Sequence, residues 1–287
     1  MNLRLPNTHL HLRRLSLMLV LVAAQLGLLA LVAASADAVT AARWYLRNSN
    51  TSGVSNIAFN YGDWGGTMTP VVGDWDNNGT STPGMFDTAG GSPANWHLRN
   101  FNSAGPANIF REYGLASGKP VIGNWKCEGD QTNVYKDGAW YLRQADGGTE
   151  VQNLGSASTN PLIGDSLYSS LEGYWCDRPA VQNPSNGYWT WDVASLTIWN
   201  FYFGSAGDIP LMGDWDGDGL DSPGIYRPSN STFHLSEDDT RTEYYPLRTY
   251  TTKYIAYYGN PGAGWKPVAG DWNGDGIDTI GLVAPAP

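Results

Sequence analysis

The 287-residue chain carries 27 acidic against 17 basic side chains, a net charge of −10, with only 15% of its residues charged. Such an acidic balance excludes the electrostatic affinity for nucleic acid or anionic lipid that basic proteins have. Four histidines beside 35 glycines and 13 tryptophans point away from imidazole chemistry and toward many short strands joined by tight turns.

Residues 1–38 read as a secretory signal peptide. Arg4, Arg13 and Arg14 precede an uncharged apolar run from Leu15 to Ala34, and Ala34-Ser35-Ala36-Asp37-Ala38 offers two Ala-x-Ala cleavage patterns. The run is also long enough to span a bilayer, so an uncleaved anchor is the alternative and the one case that brings a membrane partner. Either way residues 39–287 lie outside the cytoplasm, secreted or at the cell surface. Without the leader the chain holds 14 basic and 26 acidic groups. In an oxidising compartment Cys127 and Cys176 read as one disulfide.

An internal repeat dominates the chain after the leader. Pro70-Val71-Val72-Gly73-Asp74-Trp75 returns as Pro120 to Trp125, Pro161 to Ser166, Pro210 to Trp215 and Pro267 to Trp272, the prolines being spaced by 50, 41, 49 and 57 residues. An aromatic-x-Leu strand recurs at Trp44, Trp96, Trp140 and Phe233, with Tyr188 to Trp191 in the equivalent place. Each unit ends in glycine: Gly62, Gly114, Gly155, Gly204 and Gly259. In the first unit the extended runs are Val71 to Trp75, Gly84 to Asp87, Trp96 to Arg99 and Ile109 to Tyr113, rich in aromatic and β-branched residues.

Four strands in about 50 residues, repeated, define propeller blades. The chain opens with the third and fourth strands of a unit, around Trp44 and Ile57 to Tyr61. It finishes with a first and second strand, Val268 to Trp272 and Ile280 to Val283. Joining the two halves gives an all-β, five-bladed β-propeller with no exposed sheet edge at a chain end.

After the proline strand the fourth unit reads Asp214-Trp215-Asp216-Gly217-Asp218-Gly219-Leu220-Asp221, and the fifth reads Asp271-Trp272-Asn273-Gly274-Asp275-Gly276-Ile277-Asp278. Oxygen side chains at positions 1, 3 and 5, glycine at 6 and a carbonyl at 7 form the cage that a hard cation such as Ca²⁺ takes. In the first unit Asp74, Asp76, Asn78 and the Thr80 carbonyl keep that spacing with less charge, which predicts a weaker site. The second unit, with Asn124, Lys126 and Glu128, and the third, with Asp165, Leu167 and Ser169, lack the ligand set.

The aromatic-Gly end, the Pro-led strand, the Asp-x-Asp-x-Asp-Gly loop and the Gly-led second strand together resemble the FG-GAP (VCBS-like) repeats of integrin-α-type propellers, over residues 44–287. The resemblance implies Ca²⁺ between the first and second strands of a blade and ligand contacts on the opposite face. The chain departs from that pattern at position 9, where Ser222 and Thr279 replace the usual acid and Asp221 and Asp278 stand one place earlier. Five blades also differ from the usual seven.

No nucleophile with its base is evident, so no catalytic residue is assigned. The expectation is a non-enzymatic binding or adhesion module for glycan or protein ligands. The competing reading is an extracellular carbohydrate-active enzyme of the five-bladed glycoside hydrolase type, which needs a carboxylate pair at the central funnel. The connections into blades one and five are the longest and add Trp64 and Trp265, candidates for sugar stacking or for capping the apolar interior.

Overall fold

A computed structural model describes residues 40–144, 146–165, 176–194, 197–237 and 250–287. Residues 1–38, and Leu167 and Ser169 of the third loop, lie outside the described residues. Among the described residues no helix is long and apolar enough to cross a membrane.

Strands β1 (Ala41–Leu46) and β2 (Ile57–Asp63) form the outer half of blade five. Blade one follows with β3 (Met68–Gly73), β4 (Thr82–Asp87), β5 (Asn95–Leu98) and β6 (Ile109–Glu112). Blade two holds β7 (Lys119–Gly123), β8 (Gln131–Lys136), β9 (Ala139–Arg143) and β10 (Thr149–Asn153). Blade three holds β11 (Asn160–Gly164), β12 (Arg178–Asn183), β13 (Tyr188–Ala194) and β14 (Thr197–Tyr202). Blade four holds β15 (Ile209–Gly213), β16 (Ser222–Arg227), β17 (Thr232–Ser236) and β18 (Thr252–Tyr257). Finally β19 (Lys266–Gly270) and β20 (Thr279–Pro285) complete blade five.

The closure is direct. Strands β20 and β1 pair antiparallel with Trp44 opposite Val283 and Leu46 opposite Gly281. The inner strands β3, β7, β11, β15 and β19 each lie beside the next, and β19 returns to β3. The protein is a five-bladed, all-β propeller.

Burial follows position in the blade. Strand β4 is buried at all six positions because it lies between two strands and between two neighbouring blades. The outer strand β6 alternates between half-buried and exposed residues, as one covered face and one wet face require.

The repeat markers are packing devices. Trp44, Trp96, Trp140 and Trp189 are fully buried in the third strands. Their indole nitrogens donate to the carbonyls of Tyr61, Tyr113, Leu154 and Phe203 at 2.9–3.0 Å. Each acceptor directly precedes the glycine that ends its repeat. Gly62 has φ +72°, and a Cβ there would lie 2.4 Å from Met85 of blade one. A side chain at that position would collide with the next blade, so glycine marks the seam between blades.

The inner strands end at Gly73, Gly123, Gly213 and Gly270, two residues before the tryptophan that the sequence pattern assigns to them. Trp75 and Trp215 instead fold back under the blade, donating to the Pro83 and Ser222 carbonyls at 3.2 and 2.8 Å. Between glycine and tryptophan, Asp74, Asp214 and Asp271 gather backbone N–H groups and so turn the chain out of the sheet.

The Cys127–Cys176 disulfide forms, with the two Cα atoms 4.9 Å apart and a sequence separation of 49. It ties the loop between β7 and β8 of blade two to the end of the connection between β11 and β12 in blade three. Such a bond persists in an oxidising compartment.

Candidate functional site

The loops between first and second strands hang from one end of the ring. In blade four the Asp214 carboxylate is the hub. Its Oδ1 accepts the N–H of Gly217 and Asp218 at 2.8 and 3.1 Å, and its Oδ2 accepts that of Gly219 at 2.8 Å. Asp216 and Asp218 turn toward it, and all three residues bring a carboxylate oxygen within 4.8 Å of the others. Three carboxylates at that range repel unless a cation or protons lie among them. Burial, a hydrogen bond with Glu237 and the Asp218 charge push the Asp216 carboxyl up to about 6.

Glu237 was not legible as part of this loop. It follows β17, forms an ion pair with Lys253, and meets Asp216 through the fold alone.

Blade five repeats the geometry. Asp271 Oδ1 accepts the N–H of Asn273, Gly274 and Asp275 at 3.2, 2.7 and 3.2 Å, and Oδ2 accepts that of Gly276 at 2.7 Å. Asn273 Nδ2 donates to Asp275 Oδ2 at 2.9 Å, which uses an oxygen the expected site would need. The Leu220 and Ile277 amides donate to Asp218 and Asp275 at 3.0 and 3.1 Å. In blade one Asp74 accepts from Asn78 and Gly79 at 3.0 and 2.7 Å, and Asn78 Oδ1 from the Thr80 N–H at 2.8 Å. Asp76 is exposed there.

The fourth acids point elsewhere. Asp221 Oδ2 accepts the Asp165 N–H at 2.8 Å, and Asp278 Oδ2 accepts the Asp214 N–H at 3.1 Å. Each therefore clasps the preceding blade rather than closing its own loop. Asp130 and Asp177 do the same to Asp74 and Asn124 at 2.7 and 2.6 Å, and Ser81 takes the fifth place on Asp271 at 3.1 Å. Each of these residues directly precedes a second strand. Gathering acids in this way raises their pKa values. Burial brings Asp130 to about 6 and Asp278 to about 7, and raises Asp221 well above the usual carboxylate range.

Two asparagines missed in the sequence brace the loops. Asn50 Nδ2 donates to the Trp215 and Asp278 carbonyls at 3.2 and 2.8 Å. Asn102 Nδ2 donates to Ser81 and Trp272 at 3.0 and 3.2 Å. Each side chain spans two adjacent loops.

Trp64 and Trp265 precede β3 and β19, at the end of the ring opposite the loops. Both are half-buried. Trp265 stacks on Tyr45 with centroids 5.5 Å apart, and the Lys266 ammonium sits 5.3 Å over the Trp64 ring. One face of each ring is thus occupied. A cavity of about 590 Å³ opens at that end, lined by Pro70, Pro120, Pro161 and Pro210 with Val72 and Ile122.

Fold and site together define a closed five-bladed propeller with acidic turns after its inner strands. No family model matches the chain, and no curated protein or solved structure is significantly similar to it. The likeness to FG-GAP repeats rests on the motifs of the chain itself.

Proposed function

We propose that the protein is a secreted, calcium-stabilised propeller that acts as a non-enzymatic binding or adhesion module for glycan or protein ligands. The observation that carries the calcium reading is the Asp214, Asp216 and Asp218 cluster, three carboxylates on one glycine-bearing turn. Hard divalent cations with flexible coordination take such oxygen sets, and the Leu220 carbonyl is the next ligand in sequence. Asp271 with Asn273 and Asp275, and Asp74 with Asp76 and Asn78, are the second and third sites in order of falling charge. The FG-GAP-like motifs point the same way.

The binding reading is preferred to glycoside hydrolysis because that reaction needs two carboxylates facing the substrate. The described lining of the axial cavity is proline and aliphatic with Lys119, Asn160 and Thr69. The disulfide and the leader-like start of the chain support an extracellular location.

Thermal melting in EDTA and in Ca²⁺ tests the calcium reading. A cation bound only by the native state at ~1 mM and a Kd of ~10 μM adds roughly 2.7 kcal/mol. Identical melting in the two buffers would overturn it.

A further inference from the structure

The flank between blades three and four carries a cleft of about 360 Å³ lined from both blades. From blade three comes Tyr202, which is 65% exposed at the end of β14. Its ring is held by an edge contact with Tyr188, directly opposite in the ladder, at a centroid distance of 5.0 Å. From blade four come Arg227 and His234, on one face of the sheet with Ile225 opposite His234.

The polar groups are fixed in place. Arg227 donates from Nε and Nη2 to the two oxygens of Asp208 at 2.9 and 2.7 Å. Asp208 is only 4% exposed, and its Oδ2 also accepts the Ser205 N–H at 2.8 Å. The guanidinium plane is therefore locked, while Nη1 has no hydrogen bond among the described residues. His234 Nε2 lies 3.1 Å from Thr232 Oγ1, and burial and the Arg227 charge lower its pKa, so the imidazole is neutral at pH 7.

Arg227 is peculiar to this junction among the second strands. At the register of Arg227 the other second strands carry Asp87, Lys136, Asn183 and Ala284. No repeat-wide packing requirement accounts for an arginine there.

Three features choose the ligand. An exposed aromatic ring offers a surface for the C–H face of a sugar, as aromatic side chains do for apolar surfaces generally. Locked planar donors bind hydroxyls with little loss of rotamer freedom. Arg227 and Asp208 cancel, so the described lining of the cleft has no net charge to hold an anion, and the protein as a whole is acidic. The volume lies within the range of small-ligand sites, roughly 300–1,000 Å³.

We propose that this cleft is the subsite for one neutral pyranose unit of a glycan, with Tyr202 against the sugar ring and Arg227 Nη1 and His234 on its hydroxyls. The assignment rests on the binding-module reading and gives that module its ligand class and location.

A printed array of neutral and acidic oligosaccharides, followed by titration of the best-bound neutral one, tests it. The wild type should prefer neutral glycans. Tyr202→Ala and His234→Ala should each weaken binding by at least ~10-fold, as truncation of a central contact does. The melting temperature of Tyr202→Ala should stay unchanged, since its ring is mostly exposed. If that variant also melts early, His234→Gln gives the binding readout with the side-chain volume nearly conserved. Undiminished binding by Tyr202→Ala and His234→Ala would overturn the cleft while leaving a glycan-binding module standing. A preference for acidic glycans would overturn the charge argument. Binding to no glycan at all would remove the cleft and the glycan-binding reading together.

Discussion

Asp177 Oδ2 accepts the backbone N–H of Asn124 at 2.6 Å, one residue beyond the cysteine that bonds Cys127. The Asp177 N–H returns a bond to the Asn124 carbonyl at 3.1 Å. Blades two and three are thus joined at one junction by a disulfide and by a reciprocal hydrogen-bonded pair. The loop at this junction carries Lys126 where blade four has Asp216, so a covalent tie holds the place where a cation is least suited.

This junction makes stability depend on pH. Burial raises the Asp177 carboxyl from 3.8 to about 7, the Asp130 charge adds to the rise, and the Asn124 N–H opposes it. A carboxyl whose folded pKa exceeds its unfolded value stabilises the fold fully below the unfolded value. That contribution is lost as pH rises through about 7. The melting temperature should fall between pH 5 and pH 8, by about 2–4 °C for each kcal/mol at this size. Asp177→Asn keeps an oxygen for Asn124 and should flatten the fall. Parallel melting curves for the two proteins across buffers would refute this.

Removing the disulfide should be costly. The Cys127→Ser, Cys176→Ser double variant opens a loop of 49 residues, for which the chain-entropy account gives roughly 2–4 kcal/mol. Denaturant unfolding of both proteins measures the difference. Thiol labelling of the denatured, unreduced wild type should find no free cysteine.

The acidic loops should differ in their response to Ca²⁺. Asp216 belongs to a cluster of three carboxylates, whereas Asp76 shares its loop with Asn77 and Asn78. Asp216→Ala should therefore shrink the calcium-induced rise in melting temperature more than Asp76→Ala. Equal losses in the two variants would mean that carboxylate number does not rank the sites.

The indole hydrogen bonds can be separated from indole volume. Trp96 donates to the Tyr113 carbonyl at 3.0 Å, while blade four has Phe233, without a donor, in the same place and fully buried. Trp96→Phe should lower stability by about 1–3 kcal/mol through the orphaned carbonyl, beyond the lost volume. Chemical denaturation checks it, with Phe86→Leu as a comparison that alters packing alone.

Trp265 should behave as a packed residue. Its stack on Tyr45 and its place against the Tyr226 and Leu282 cluster mean that Trp265→Ala exposes apolar surface on both partners. For a half-buried ring the loss is about 2 kcal/mol, below the 3–5 kcal/mol of a core tryptophan. An unchanged melting temperature would return Trp265 to consideration as a free stacking platform.

The sequence by itself determined the number of blades, their four strands and the joining of β20 to β1. Each depends on local chemistry repeated five times, such as the Pro-led inner strand or the glycine at the seam where Gly62 meets Met85. A period of that kind is readable without coordinates because every copy solves the same packing problem. The three-carboxylate turn of blade four was legible for a related reason, since Asp214, Asp216 and Asp218 are neighbours in the chain. What Asp221 and Asp278 do was not. A carboxylate one place along the loop can turn inward to a cation or outward to the next blade, and only the approach of Asp165 and Asp214 across a blade boundary decided it. The same holds for Glu237 beside Asp216, and for Tyr202, Arg227, Asp208 and His234. Those side chains meet because neighbouring blades bring remote segments together, a proximity set by ring closure and by no local pattern of residues.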